Sequence, residues 1–268
     1  MANPTQIITL LTDFGLEDYF VGAMKGVILN LNPEVRLIDI SHRIPPHDIQ
    51  SGAFTLGQAY SCFPLGTIHL AVVDPGVGTA RKALVASAGG HFFIAPDNGL
   101  LTYVLAREPE ATVYAITADH YFRKPISSTF HGRDIFAPIA AYISRDVPLH
   151  MFGPLHPNPV RFRIPDLARV RDALIQATIL AVDHFGNLIT NLKPGDLPAY
   201  SAAGTHPCKI LAGQREITSI RRTYGEGSPG ELMVIPGSSG YLEVVMRNGS
   251  AAAELKLGPG GLIGVILG

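Results

Sequence analysis

The sequence predicts an α/β protein of two domains: an N-terminal α/β domain with a largely parallel central sheet, then a small C-terminal antiparallel β-barrel or sandwich. In the first half of the chain, strand-like apolar runs alternate with segments of helical period, the pattern of a parallel α/β layer. Four prolines then occur from Gly153 to Pro165, a composition typical of a linker. Beyond about Ala173 the helical period disappears and short strand-like runs follow. The predicted domains therefore span residues 1–165 and 173–268.

Strands and helices alternate regularly in the predicted N-terminal domain. Its first strand is a mostly apolar run, as expected of a strand buried on both faces of a sheet. Asp18 is expected to cap the helix that follows, because a carboxylate can accept the unpaired amides of a first turn. The predicted strands are Ile7–Thr12, Val35–Ile40, Thr67–Val73, Ala83–Ser87, Phe92–Ala95 and Thr112–Ile116, and the predicted helices are Asp18–Leu31, Asp48–Tyr60 and Gly132–Ser144.

The predicted C-terminal domain consists of short strands only. Gly, Ser and Asn turns separate many of the apolar runs, which is typical of an antiparallel barrel or sandwich. The predicted strands are Ala177–Val182, Lys209–Ala212, Glu216–Ile220, Leu232–Ile235, Tyr241–Met246, Ala252–Leu257 and Leu262–Leu267.

Length, charge and cysteine content narrow the class of protein. The chain has 268 residues, of which 47% are hydrophobic, so it can build a substantial core. Its formal net charge of −1 provides no general attraction to nucleic acid or anionic lipid, so neither is an expected partner. Cys62 and Cys208 match no metal-ligand spacing and are expected to be buried free thiols in a reducing compartment, with a single long-range disulfide as the alternative. No apolar stretch approaches the roughly 20 residues of a membrane helix, and we therefore expect a soluble cytoplasmic protein.

Polar clusters follow several predicted strands of the N-terminal domain. Ligands of parallel sheets bind at the carboxyl ends of the strands, so these carboxylates and an imidazole are expected to converge on one edge. The clusters are Thr12-Asp13-Phe14-Gly15, Asp74-Pro75-Gly76-Val77-Gly78, Pro96-Asp97-Asn98-Gly99 and, just before a helix, Phe130-His131-Gly132-Arg133-Asp134.

Three of the four clusters also have a simpler interpretation. Asp13 and Asp97 both lie in sequences that form turns, and His131 is compatible with a purely structural role. Asp134 is a favourable first-turn charge for the helix dipole. A different alternative is a di-metal hydrolase built from Asp13, Asp74, Asp97 and His131. However, the histidines show neither a His-x-His pattern nor a pair four residues apart.

A second group of candidate residues lies in the C-terminal domain, beginning with the run Val182-Asp183-His184-Phe185-Gly186-Asn187. An aromatic ring near a side-chain amide can stack on a purine and read its hydrogen-bonding edge. The alternative is a strand that ends in an Asn-containing turn. Further on, residues 238–243 and the run Arg247-Asn248-Gly249 are compatible with an ordinary loop and an ordinary hairpin turn.

Taken in order, these segments resemble the S-adenosyl-L-methionine (SAM) hydroxide adenosyltransferase family, relatives of the SAM-dependent fluorinase and chlorinase. The clusters at Asp13, Asp74 with Arg81, Asp97, His131 and residues 183–187 occur in the family's order and span most of the chain. The resemblance implies attack of water on the ribose C5′ carbon of SAM, giving adenosine and L-methionine. Because a sulfonium is a good leaving group, we expect no metal and no cofactor, with SAM as the substrate.

The resemblance also implies a role for each candidate residue. Asp74, Arg81 and His131 are expected to handle the water, with Asp74 and His131 accepting its hydrogen bonds. Asp13 is expected to bind the ribose hydroxyls. The other expected substrate-binding residues are Asp18, Asp183 and Ser239 near the methionine portion, Phe185, Asn187, Arg247 and Asn248 near the adenine, and Glu243. The family's architecture implies a homotrimer with active sites between subunits.

Two positions distinguish this sequence from the halogenating relatives. Those carry a tyrosine where Asp74 stands and a serine, used for the halide, where Gly132 stands. A carboxylate repels an anion, and the missing hydroxyl removes a hydrogen-bond donor, so water is the expected nucleophile. The alternatives are a SAM-dependent halogenase on the same scaffold and a nucleoside-binding module without turnover.

Overall fold

The computed structural model describes residues 6–171, 174–197 and 208–267. Contacts divide the chain into two compact units, Met1–Arg163 and Ile164–Gly268. The predicted start of the second domain, residue 173, lies outside the described residues. The proline-rich segment at the end of the first predicted domain is held within the first unit, since Val160 N donates to Asp97 and Phe162 N donates to Thr102.

The first unit is built on a six-stranded mixed sheet, which confirms the predicted α/β class. Its strands are β1 Ile7–Thr12, β2 Arg36–Ser41, β3 Ile68–Val72, β4 Ala83–Ala88, β5 His91–Pro96 and β6 Thr112–Ala115, in the order β2-β1-β3-β5-β4-β6. The pairs β1–β2, β1–β3 and β3–β5 are parallel, whereas β4 runs antiparallel to both β5 and β6. The parallel part brings the ends of β1, β3 and β5 to one edge of the sheet.

The antiparallel part begins at a tight glycine turn between β4 and β5. Gly89 and Gly90 have φ angles of 56° and 78°. Two-residue hairpin turns of this mirror-image type need positive φ at both central residues, which favours glycine. The turn therefore forces β5 to return directly alongside β4 and makes the sheet mixed.

Four α-helices accompany this sheet in the described part of the first unit: α1 Phe20–Leu31, α2 Ile49–Ala59, α3 Thr102–Arg107 and α4 Ala137–Ile143. A single π-helical turn, Gly132–Phe136, leads into α4. Helix α3 was not predicted, because its six residues are too short for a clear periodic pattern. Met24 and Ile28 of α1 are fully buried in the core that the helices and the sheet share.

Asp48 and Asp18 differ in how they relate to the helix that follows. Asp48 caps α2, accepting the amide of Ser51 at 2.9 Å. The expectation that Asp18 caps α1 is wrong: the residue at the cap position is Tyr19, whose backbone is already helical, and the helix has no side-chain cap. Asp18 lies one residue earlier and is exposed.

The second unit is an antiparallel sheet that nearly closes on itself, as predicted. Its strands are β7 Ala168–Arg171, β8 Leu174–Val182, β9 Leu188–Thr190, β10 Cys208–Ala212, β11 Arg215–Ile217, β12 Leu232–Pro236, β13 Leu242–Met246 and β14 Leu262–Leu267. The order is β11-β10-β14-β8-β9-β13-β12, with β7 paired to β8. A bridge between Ile220 and Val234 brings the chain beyond β11 next to β12.

One strand predicted in this unit is a helix. Residues 252–257 were expected to be extended, but Ala251–Leu255 forms helix α5. Ser250 caps it by accepting the amide of Ala253 at 3.1 Å, and Lys256 ends it with φ at 54°. Consecutive alanines favour a helix and contain no β-branched residue, so local propensity outweighed the apolar run.

Two further expectations concern the surface and the thiols. Among the helices in the described ranges, none has the length and apolar character that crossing a bilayer requires. Both cysteines are free, but only Cys208 is buried. Cys62 is exposed because it ends the short helical turn after α2, so the expectation of two buried thiols is wrong for it.

Candidate active site

Asp74, Arg81 and His131 form one hydrogen-bonded cluster in the first unit. Arg81 donates from Nε to Asp74 Oδ1 at 2.9 Å and from Nη2 to Asp74 Oδ2. The same Nη2 lies 3.0 Å from His131 Nδ1. The side chains of Asp74 and Arg81 are only 4% and 10% exposed. One buried guanidinium therefore fixes a carboxylate and an imidazole relative to each other.

The loop after β3 folds back so that Asp74 and Arg81 meet. Thr79 donates its amide and its hydroxyl to the carbonyl of Gly76, the hydroxyl at 2.7 Å. Gly78 has φ at 77°, and a Cβ there would lie 2.3 Å from the carbonyl oxygen of Ser128. Only glycine therefore lets this loop pack against the segment that precedes His131.

The contact with Arg81 defines the protonation state of His131. A guanidinium always donates, so His131 Nδ1 must accept and the ring proton must be on Nε2. Burial, and then the positive charge of Arg81, lower the pKa of His131, while Asp74 and Asp134 partly oppose this. His131 thus presents a neutral Nε2–H donor. This corrects the expectation that His131 accepts a hydrogen bond from water: Asp74 is the acceptor of the pair.

Asp134 anchors the segment that carries His131. It is fully buried and accepts from Arg133 at 2.7 and 2.8 Å, from Arg123 at 3.0 Å and from the amide of Ser127 at 2.9 Å. Burial alone would raise the pKa of Asp134, but these hydrogen bonds outweigh it and the pKa is lowered. Asp134 does lie in the first turn of the helical segment. Its contacts show a buried carboxylate that connects Arg133 to Arg123 and Ser127, rather than a surface charge near a helix end.

Asp97 belongs to a separate contact at the end of β5. Its carboxylate lies 3.0 Å from His156 Nε2 and accepts the amide of Val160 at 2.8 Å. These bonds hold the proline-rich segment. In the part of the chain that the structure describes, no three His, Cys, Asp or Glu side chains are grouped as metal ligands. The four residues of the di-metal alternative therefore do not form such a group.

The turn that contains Asp13 packs beside the segment of His131. Asp13 Oδ2 accepts the amide of His47 at 2.8 Å. The ring of Phe14 meets that of Phe130 edge-on, with centroids 6.1 Å apart. Asp13 is partly buried and its turn contacts the segment that leads to His131, whereas Asp18 is exposed.

The second unit holds its candidate residues around a cavity of about 610 Å³, within the size range of small-molecule sites. Phe185 is 73% exposed at this cavity, and Asn187 is buried. The cavity is lined by Phe185, Asn187, Tyr224, Gly225, Met246, Arg247, Asn248 and Gly249. Of the other predicted residues, Asp183, Ser239 and Glu243 are not part of this lining.

Asp183 organises the loop that leads to this cavity. Its Oδ1 accepts the amides of Phe185 and Asn187 at 2.9 and 2.8 Å, and its Oδ2 accepts Asn187 Nδ2 at 2.8 Å. These three bonds fix the aromatic ring and the amide relative to each other. Ser239 differs from Asp183, because its buried Oγ has no hydrogen-bond partner among the described residues.

Tyr224 is a site residue that the sequence analysis missed. Its hydroxyl accepts from Asn187 Nδ2 at 3.2 Å and donates to Glu243 Oε2 at 3.3 Å. Burial and the charge of Glu243 raise the pKa of Tyr224 to about 12, so the hydroxyl keeps its proton. Burial likewise raises the pKa of Glu243. Tyr224 lies in a short 3₁₀ turn without strand or helix periodicity, and the one available signal was an aromatic residue in a polar loop.

Arg247 and Asn248 shape one side of the same cavity. The guanidinium of Arg247 donates to the carbonyl of Gly227 and, at 3.3 Å, to that of Gly225. Asn248 adopts φ at 56°, as expected for the turn after β13. The side chain of Arg247 therefore ties the loop of Tyr224 to the end of β13.

An α/β unit with a buried Asp–Arg–His cluster, joined to an antiparallel unit with an aromatic cavity, defines the class of this protein. Family models of the SAM hydroxide adenosyltransferase N-terminal domain and C-terminal domain match residues 8–153 and 177–263. The chain belongs to the SAM hydroxide adenosyltransferase family.

Named relatives and solved structures agree with this assignment. The chain is 39% identical to a protein named (R)-S-adenosyl-L-methionine hydrolase from Salinispora tropica, over 99% of each chain. It is 36% identical to one of the same name from Thermus thermophilus, over 94% of this chain and 96% of the other. A fluorinase from an Actinoplanes species is 29% identical over 96% and 97%. The crystal structure of an uncharacterized conserved protein from Thermotoga maritima superposes with a TM-score of 0.88 at 35% identity, over 97% and 99%.

Proposed function

We propose that the protein hydrolyses SAM to adenosine and L-methionine. The observation that carries the proposal is the buried cluster of Asp74, Arg81 and His131 in a chain 36–39% identical to proteins named SAM hydrolases. Fluorinase relatives are less similar, at 29% identity or below. A carboxylate and a neutral imidazole suit a bound water better than a halide ion.

In the proposed reaction, the oxygen of one water attacks the ribose C5′ carbon in line with the C5′–S bond. The donor Nε2–H of His131 holds the water oxygen, and Asp74 accepts a water proton. As the C–O bond forms, the C5′–S bond breaks and its electron pair stays on sulfur, giving the methionine thioether. Arg81 bonds both oxygens of the Asp74 carboxylate and so holds it in place, which favours an approach distance of about 3–3.5 Å.

We propose that the substrate-binding residues expected from the sequence contact SAM as follows. Asp13 binds the ribose hydroxyls with the oxygen that does not accept from His47. Phe185 stacks on the adenine, and Asn187, whose Nδ2 is engaged by Asp183 and Tyr224, offers its Oδ1 to the adenine amino group. Further proposed contacts are Arg247 and Asn248 with the adenine, Asp18, Asp183 and Ser239 with the methionine portion, and Glu243 through Tyr224. We propose no cofactor besides the substrate.

The names of the relatives point to one epimer of the substrate. They specify the (R) form, and since "L" already defines the methionine carbon, the prefix describes the sulfonium sulfur. We therefore propose that this protein prefers the (R) epimer.

Each epimer is incubated with the protein in chloride-free buffer containing EDTA, and adenosine and methionine are quantified by chromatography. Tight adenosine binding without product would instead indicate a binding module, and restoration of turnover only by added divalent metal would indicate a metallohydrolase.

Acidification is expected to inactivate the enzyme by protonating His131. Its pKa lies below the usual value of 6.5, so kcat should stay level from about pH 8 to about pH 6.5 and fall only at lower pH. A protonated Nδ1 would face the Arg81 guanidinium, donor against donor, and the cluster would open. The measurement is the pH profile of adenosine release for the wild type and for His131→Gln, whose amide does not titrate. The slower variant should lack this acid limb, and an identical limb in both would contradict the assignment.

Gly132→Ser is expected not to convert the enzyme into a halogenase. A Cβ at this buried position would lie 3.2 Å from Met24 Sδ and 3.4 Å from the rings of Phe14 and Phe130, so a serine must displace its neighbours. Asp74 would still repel an anion. The variant should release adenosine several-fold more slowly, and fluoride or chloride should yield no 5′-halo-5′-deoxyadenosine by mass spectrometry. Appearance of that product would favour the halogenase alternative.

We also propose a homotrimer with active sites at subunit interfaces, located in the cytoplasm, where the two free cysteines would stay reduced. Sedimentation tests the trimer. Interface sites are tested by mixing two inactive variants, Asp74→Ala and Asn187→Ala, after subunit exchange. If each site combines residues of two subunits, mixed trimers regain part of the activity. Retained inactivity in verified mixed trimers would contradict interface sites.

A further inference from the structure

A series of polar side chains in contact with one another holds the turn that carries Asp13. The proposed reaction does not use these side chains. The hydroxyl of Thr12 lies 2.8 Å from His42 Nδ1 and accepts the amide of Phe14 at 3.2 Å. The backbone carbonyl of His42 accepts the amide of Gly15 at 2.8 Å. Both Thr12 and His42 are buried. Residue 42 therefore contacts the turn before and after Asp13.

The series of polar contacts continues from His42 to a charged pair. His42 Nε2 is 3.0 Å from Asp39 Oδ1, although its N–H does not point directly at that oxygen. Asp39 Oδ2 in turn accepts Lys25 Nζ at 2.7 Å. Lys25 lies on α1 and Asp39 on β2, so this series of contacts connects the turn to two elements of the unit.

The directions of these contacts are consistent with one another. The carboxylate of Asp39 favours a proton on His42 Nε2, which leaves Nδ1 as an acceptor. The Thr12 hydroxyl then donates to Nδ1, and its oxygen accepts the Phe14 amide. No two donors or two acceptors face each other at Thr12, and these bonds hold the backbone on both sides of Asp13.

We propose that His42 is a positioning residue that acts through Thr12 to present Asp13 to the ribose of the substrate. The proposal rests on the proposed function, in which Asp13 binds the ribose hydroxyls. Because that contact is made in the ground state and the transition state alike, disturbing the turn should raise KM more than it lowers kcat.

A second threonine on strand β1, the strand of Thr12, provides a matched control. Thr9, also on β1, lies 2.8 Å from His69 Nδ1, and both residues are fully buried. His69 Nε2 is 3.3 Å from His91 Nδ1, in a cluster that does not include the Asp13 turn. Thr9→Val and Thr12→Val therefore both remove a buried hydroxyl–imidazole contact, but only the second also removes the bond to the Phe14 amide and affects the turn.

The experiment compares KM and kcat for SAM, the Kd for adenosine by calorimetry, and the melting temperature of wild type, Thr12→Val, Thr12→Ser and Thr9→Val. Thr12→Val should raise KM and the adenosine Kd by about 10-fold while kcat changes by less than about 3-fold. Thr12→Ser, which keeps the hydroxyl, should restore KM to within about 2-fold of wild type. Thr9→Val should lower the melting temperature without raising KM.

Equal KM increases in both valine variants, or an increase in neither, would overturn the proposal. If Thr12→Val does not fold, Asp39→Asn, a change at a half-exposed residue, tests the proposal instead. Its KM should rise roughly 3-fold, and an unchanged KM would overturn the proposal. A wild-type protein that releases no adenosine contradicts the proposed function instead. In that case the adenosine Kd values of the same variants still test the positioning role.

Discussion

Asp74→Asn should reduce adenosine release by roughly 10²–10⁴-fold while the Kd for adenosine stays within about 3-fold of wild type. The amide keeps the shape of the side chain and one oxygen for Arg81 but no longer accepts the proton of the attacking water. Initial rates by chromatography and calorimetric binding measure the two effects. The contrast between them separates loss of chemistry from loss of binding.

Asp97→Asn is the matched control for this prediction. Both aspartates follow strands of the same sheet, and both are nearly buried, with side chains 4% and 8% exposed. Each has a basic partner, Arg81 for Asp74 and His156 for Asp97. Asp97→Asn should lower the melting temperature and leave turnover within a few-fold of wild type. A turnover loss of equal size in both variants would remove the special role of Asp74.

Arg81→Lys should lower kcat by about 10²-fold, because small misplacements of reacting groups have effects of this order. A lysine has a single ammonium and cannot bond both oxygens of Asp74 and His131 Nδ1 in a planar arrangement. It also loses the position of the guanidinium over the ring of Phe136, 5.1 Å from the centroid. The measurements are kcat by adenosine release and the melting temperature, both of which should fall.

Arg133→Lys provides the comparison, since Arg133 makes the same two kinds of contact. Its guanidinium bonds both oxygens of Asp134 and lies 4.9 Å from the ring centroid of Phe130. Asp134 keeps a second partner in Arg123, so this variant should lose stability with kcat changed by less than about 5-fold. If the two lysine variants lost activity equally, the effect of Arg81→Lys would reflect a general weakening of the fold.

The sequence predicted the positions of the catalytic candidates better than their contacts. Buried apolar strands and the loops that follow them have a clear pattern, so Asp74 and His131 were placed at strand and helix ends correctly. That Arg81 donates to His131, and so determines which ring nitrogen carries the proton, depends on how two distant loops pack. The sequence does not encode such a contact in any local pattern.

The errors have local physical causes. The apolar run at residues 252–257 predicts a strand, but the consecutive alanines have a high helix propensity and Ala251–Leu255 is a helix. Asp18 was expected to cap α1, but the boundary lies one residue later, where Tyr19 is. Tyr224 was missed because a lone aromatic residue in a polar loop carries no periodic signal, and its partners Asn187 and Glu243 are distant in sequence.

The π-helical turn Gly132–Phe136 explains how one side chain can be held from two directions. In this wider turn, backbone hydrogen bonds join residues five positions apart. His131 and Phe136 are separated by five positions, and both contact Arg81. Arg81 thus receives an imidazole at its edge and an aromatic ring on its face from a single helical segment. Tightening the segment to a regular helix by removing one residue would rotate the imidazole by about 100° and take it off the arginine. The extra residue in that turn is therefore what aligns the two side chains that hold Arg81.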